Sequence, residues 1–161
     1  MSLNKVDISR IKQDSDHIIS NAYKGILSFP LDEIENCDVD VNYKLSAIEN
    51  GIYMSGFLSF TLDLLCSRCV KDFKYKDEVE LNEFYEFIKA DDLYENFLEE
   101  ESLNLREILR QKIILLLPSQ PLCDHDCKGL CAKCGTDLNE NKCKCESDID
   151  PRWTKLSEIL K

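Results

Sequence analysis

Apolar and polar residues alternate most regularly between Val39 and Ala47. Val39, Val41, Tyr43, Leu45 and Ala47 are interleaved with Asp38, Asp40, Asn42, Lys44 and Ser46. A period of two is that of a strand with one buried face. Asn50-Gly51 follows, a dipeptide suited to the positive backbone angles of a tight hairpin turn, so a second strand is expected from Ile52 to about Leu65. Cys66-Ser67-Arg68-Cys69 makes the next turn. A third alternation then runs through Phe73, Tyr75, Val79, Leu81, Tyr85 and Phe87. Three consecutive antiparallel strands follow from this pattern, forming a curved sheet or part of a barrel.

The period changes after Asn104. Leu105, Ile108, Leu109, Ile113 and Leu116 fall on one face of a helix, and Pro118 closes it. Asn104 can cap the N-terminus, with Glu107 at the third helical position. This helix is expected to cover one face of the sheet. Residues 89–101 read as an acidic loop or loose helix. Residues 1–36 carry weaker signals: Val6, Ile8 and Ile11 fit a strand or a short helix, and residues 18–29 fit a strand ended by Pro30. The fold class is therefore α+β. Residues 1–117 form a sheet-plus-helix core domain, and residues 118–161 form a small cysteine-rich tail packed on it.

Composition narrows the function classes. The 161-residue chain is 43% apolar and 32% charged, as expected of a globular domain. Its greasiest run, Ile113 to Leu117, falls far short of the roughly 20 residues that a membrane span needs. The N-terminus, Met1 to Asp7, has no apolar signal segment, so a cytoplasmic protein is expected. The net charge of −11 opposes indiscriminate binding to nucleic acid. That charge is uneven. Residues 77–107 hold twelve acids against Lys89 and Arg106, whereas residues 118–161 hold eight acids and seven bases.

Nine cysteines carry the chemistry, and six of them lie in the 23 residues from Cys123 to Cys145. In a reducing compartment such a cluster points to a metal rather than to disulfides. Cys131-x-x-Cys134-Gly135 has the form of a zinc knuckle, in which two thiolates face one ion and glycine allows the chain to turn. Cys143 and Cys145 return a second pair after a short loop, and four thiolates complete a tetrahedral Zn²⁺ shell. Lys128, Lys133, Lys142 and Lys144 offset its charge. The tail has few large apolar residues, so the metal is expected to fold it. An iron–sulfur cluster is the rival occupant. Cys66, Cys69, Cys123 and Cys127 make a second candidate quartet that would bridge sheet and tail. Otherwise one pair is spare, or His125 replaces a cysteine in either site. Cys37 reads as a buried apolar residue.

The chain resembles the bacterial YceD family, the large ribosomal RNA subunit accumulation proteins. The segments that carry the resemblance run in order from Cys66-Ser67-Arg68-Cys69-Val70 through Leu105-Arg106-Glu107-Ile108 and Pro121-Leu122-Cys123. They continue with Gly129-Leu130-Cys131-Ala132-Lys133-Cys134-Gly135, Leu138-Asn139, Cys143-Lys144-Cys145 and Asp150-Pro151-Arg152-Trp153. Ala132 stands where the family commonly has proline. The resemblance implies a noncatalytic role in accumulation or processing of large-subunit ribosomal RNA, with zinc as a stabilising device. The implied partner is ribosomal RNA or a large-subunit ribosomal protein, with no membrane and no small-molecule substrate. Candidate contacts are Arg68, Lys128, Lys133, Arg152, Trp153 and Lys155. Paired C-x-x-C and C-x-C also suit a redox-responsive zinc protein or chaperone-like holdase. An enzyme fits less well, because four thiolates leave no open position on the metal.

Overall fold

The structure is a computed structural model and describes residues 5–13, 16–31, 34–49, 51–86, 98–99 and 102–145. A short strand β1 (Val6–Asp7) leads into helix α1 (Ser9–Gln13), so the N-terminal segment contains both of the elements its sequence allowed. Four long strands follow: β2 (Ile18–Leu31), β3 (Ile34–Ile48), β4 (Gly51–Leu65) and β5 (Asp72–Glu86). Next come β6 (Leu98–Glu99), β7 (Ser102–Leu103) and helix α2 (Leu105–Leu116). The long strands form one antiparallel sheet in the order β2-β3-β4-β5, and β1, β7 and β6 form a small second sheet.

Alternation explains the main sheet. Val39, Val41, Tyr43 and Leu45 of β3 face the same core as Met54, Leu58, Phe60 and Leu62 of β4, with Leu27 and Leu81 from the flanking strands. Leu105, Ile108, Leu109 and Ile113 of α2 enter that core, together with Ile8, Ile11 and Leu103. Asn104 caps α2, its side chain accepting the Glu107 amide at 3.3 Å. Leu117, which precedes Pro118, turns extended as a residue before proline should. Cys37 is fully buried, and burial pushes its thiol up to about 11.

Four expectations need correction. The sheet is open rather than barrel-like, because among the described residues β2 and β5 each have one strand neighbour and do not meet. β2 continues through Pro30 instead of ending there. It is an edge strand, and its register shifts between Ser28 and Leu31, a place where a missing amide hydrogen is tolerated. Gly51 pairs with Ile48 and opens β4, so it lies outside the hairpin loop, and Asn50 falls outside the described residues. The segment read as loop or loose helix contributes β6 at Leu98–Glu99; residues 89–97 lie outside the described residues, as does Phe87. Among the described residues, no helix is long and apolar enough to cross a membrane.

Candidate metal centre

The loop after β4 and the loop beginning at Cys131 have the same backbone construction. In the first, the Val70 amide donates to the Cys66 carbonyl at 2.9 Å, and the Cys66 amide to the Lys71 carbonyl at 3.0 Å. In the second, the Gly135 amide donates to Cys131 and the Cys131 amide to Thr136, both at 2.8 Å. The residue after the second cysteine takes a left-handed backbone in each loop, with φ of 57° at Val70 and 71° at Gly135. Glycine adopts this angle without strain, whereas a β-branched side chain pays roughly 1–2 kcal/mol. Val70→Gly should therefore raise stability by about 0.5–1 kcal/mol after its larger unfolded-state entropy is deducted. Thermal denaturation of the metal-loaded chain should show a rise of about 2 °C, and a fall would contradict the strain.

Each loop delivers two sulfurs to a quartet. The Sγ atoms of Cys66, Cys69, Cys123 and Cys127 all lie within 4.8 Å of one another, as do those of Cys131, Cys134, Cys143 and Cys145. In the first quartet Cys66 and Cys127 are 3.8 Å apart and Cys69 and Cys123 are 3.6 Å apart. A tetrahedral ion with metal–sulfur bonds of about 2.3 Å needs its sulfurs about 3.8 Å apart. Both quartets could hold a metal ion, and the donor sets suit a soft or borderline one.

The quartets differ in their surroundings. Cys66, Cys69 and Cys127 are buried, with Phe73 and Leu122 packed against them. Cys123 is the exposed member of the first quartet, whereas in the second both Cys134 and Cys145 are exposed. Backbone amides favour thiolate in both. Burial opposes charge on Cys66, but the amides of Cys123, Cys69 and Arg68 outweigh it and bring the thiol down to about 6. Cys131 also falls to about 6, through the amides of Cys134 and Lys133. Cys123 and Cys145 instead rise to about 12, chiefly because each shares a proton with a neighbouring sulfur, Cys69 and Cys134 respectively. Four adjacent sulfurs without a cation cannot all ionise, so metal uptake must expel protons.

An outer layer of polar groups holds the sulfurs. Asn139 donates from Nδ2 to the Cys127 sulfur at 3.4 Å, while its Oδ1 accepts the Lys128 amide at 2.7 Å. Thr136 places its hydroxyl 3.2 Å from the Cys134 sulfur. Lys71 pairs with Asp137 at 2.6 Å and also with Glu140, tying the first loop to the tail. That pairing keeps the Asp137 carboxyl below its ordinary range. Further ties are the Ser67 amide to Pro121 at 2.8 Å and the Leu130 amide to Arg68 at 3.0 Å. Gly129 lies so close to this loop that a Cβ would sit 2.8 Å from the Arg68 carbonyl oxygen.

All eight cysteines named from the sequence are brought together, in the two sets of four that chain order suggested. His125 belongs to neither set; its side chain is exposed beside Asp126. Arg68 is engaged at the first quartet, donating from Nη1 to the Cys127 carbonyl at 2.8 Å. Lys128 and Lys133 are exposed. Arg152, Trp153 and Lys155 lie outside the described residues. Asn139, Thr136 and the Lys71–Asp137 pair were not singled out as supports, because polar residues in a short turn look alike in sequence whether they serve the turn or the sulfurs.

Fold and site together define a β-sheet protein whose tail is organised by two four-cysteine clusters. The chain belongs to the family described as large ribosomal RNA subunit accumulation protein YceD, whose profile matches residues 54–160. An uncharacterized protein of Mycobacterium tuberculosis is 28% identical over 153 residues, covering 90% of this chain and 72% of the relative. YlbN of Bacillus subtilis is 29% identical over 105 residues, which span 61% of this chain and 60% of that protein. A chloroplastic YCED homolog of Arabidopsis thaliana, named for large ribosomal RNA subunit accumulation, is 36% identical over 47 residues. That match covers 29% of this chain and 15% of the homolog. No solved structure matches the chain.

Proposed function

We propose that this protein is a noncatalytic, cytoplasmic ribosome-biogenesis factor that supports accumulation or processing of large-subunit (23S) ribosomal RNA. The family match over residues 54–160 carries the reading. Zinc in both quartets would be structural, since four sulfurs fill a tetrahedral shell and leave no position for substrate or water. The sheet-plus-helix part up to residue 117 would act as the body and residues 118–161 as a tail stapled to it by the first quartet. Reduced thiols in such numbers favour the cytoplasm. Lys128 and Lys133, with Arg152, Trp153, Lys155 and Arg68, are the proposed contacts to RNA or a ribosomal protein. Deleting the protein should lower free large subunits and mature large-subunit RNA, read by sedimenting cell extract on a sucrose gradient. Unchanged subunit and RNA profiles would end this reading.

Exposure of Cys134 and Cys145 supports a second reading, a redox-responsive zinc protein that holds unfolded clients once oxidised. Under it, peroxide should release zinc quickly and create client-holding activity together. Release without holding would leave only the first reading.

A further inference from the structure

One face of the main sheet is filled by the core, and the opposite face is open among the described residues. Its rows follow from the register. Lys24, Asp40, Ser59 and Glu78 lie side by side across β2 to β5, and Ala22, Asn42, Phe57 and Glu80 occupy the adjacent row. The first row belongs to a trough of about 730 Å³, which Asp38 and Lys76 also line. A neighbouring hollow of about 550 Å³ continues past Phe57, Lys44 and Glu80. Together they make an elongated concavity across a sheet whose strands are spaced by roughly 4.8 Å.

Two features of this concavity point to a ligand. Outward positions around its centre are polar, yet Phe57 stands there with 50% of its surface in water. The same face also exposes Ile26 at the trough and Tyr53 and Phe84 beyond it, so Phe57 is the central member of an apolar set suited to contact. The charge is also lopsided. Lys24 is taken up by Asp40 at 2.9 Å, and of the remaining lining groups the carboxylates of Asp38, Asp77, Glu78 and Glu80 outnumber the ammonium groups of Lys44 and Lys76. Phosphate is therefore repelled and a cationic ligand is drawn in. An extended chain suits the trough better than a compact molecule, because alternate side chains can reach Phe57 and the acids in turn.

We propose that the open face of the β2–β5 sheet, centred on Phe57, docks an extended Lys/Arg-rich segment of a partner protein. Only the partner's location rests on the reading above: it would be a basic protein of the large subunit. The face itself is tested with the metal-loaded full chain and a short Lys/Arg-rich peptide bearing one central leucine. Backbone amide shifts should move saturably at the outward positions of β3, β4 and β5. Phe57→Ala, and separately the pair Glu78→Lys with Glu80→Lys, should each weaken binding at least about tenfold, while the unbound spectrum keeps its dispersion. Three outcomes would overturn the proposal: no saturable shifts, variants that bind as tightly as the parent, or a single-stranded oligoadenylate occupying this face instead. Failure here, with the deletion strain still short of large subunits, would sink the surface and spare the role. The converse result would spare the surface alone.

Discussion

Cys127→Ser should remove one metal ion per chain and release the tail from the sheet, a larger effect than any other single change in the cysteine module. Cys127 shares its quartet with Cys66, 61 residues earlier, so a metal there closes most of the distance between the β4–β5 turn and the tail. Treated as a cross-link of that loop length, the closure alone is worth about 4 kcal/mol. Structural zinc sites can contribute on the order of 10–16 kcal/mol when they fold a module outright. The substitution also removes the sulfur that Asn139 supports, at the backbone unit whose carbonyl anchors Arg68. Metal analysis should fall from two ions to one, and amide exchange should quicken at residues 118–130 and 66–73 while β3 stays protected. Cys145→Ser should likewise lose one ion but leave the packing of Phe73 and Leu122 on the first quartet intact. Two ions retained in Cys127→Ser would refute the assignment of the first quartet.

Much of this arrangement was legible because the signals were local. Alternation in β3, β4 and β5 survives because each has one face in the core and one in water, so side-chain chemistry tracks the pleat. The Asn104–Glu107 cap and the apolar stripe of α2 are equally self-contained. The set of Cys131, Cys134, Cys143 and Cys145 could be assembled from spacing, since C-x-x-C puts both sulfurs on one side of a turn, whereas that of Cys66, Cys69, Cys123 and Cys127 came only by elimination and left a spare pair or His125 open. β2 was harder to read. It is an edge strand with Ile18 and Ile26 exposed on its outward face, so alternation is blurred, and the register irregularity lets Pro30 sit inside it. β1, β6 and β7 are two residues each, too short to show any period, and form only because β1 and β6 each pair with β7. Register at the first hairpin also escaped. The composition of Asn50-Gly51 suggests a turn but does not fix which residue pairs first, and Gly51 is needed as a paired strand residue because a Cβ there would meet the Tyr85 carbonyl and the Phe84 ring.

Ions loaded into the two quartets should leave at very different rates. A chelator must reach the metal and replace sulfurs one at a time. In the second quartet Cys134 and Cys145 already face water, so attack can begin without any opening of the chain. In the first quartet Cys66 is 1% exposed and Cys127 3%, with Phe73 and Leu122 against them. Cys123 of this quartet is exposed too, but detaching the other three sulfurs requires the junction of Ser67 with Pro121, Arg68 with Leu130, and Lys71 with Asp137 to open. Such local opening multiplies the release time tenfold for each 1.4 kcal/mol it costs, and a few kcal/mol is an ordinary value for a packed junction. Excess chelator with a metal-sensitive dye should therefore give two phases of equal amplitude, separated by roughly a hundredfold in rate. Cys145→Ser should lose the fast phase and Cys127→Ser the slow one. Lowering the pH should speed both, because protons compete for every thiolate that holds metal, and the sign cannot reverse while all ligands are sulfur. A single phase in the parent chain would mean that burial of the first quartet offers no protection, and that the tail opens as freely as its exposed half.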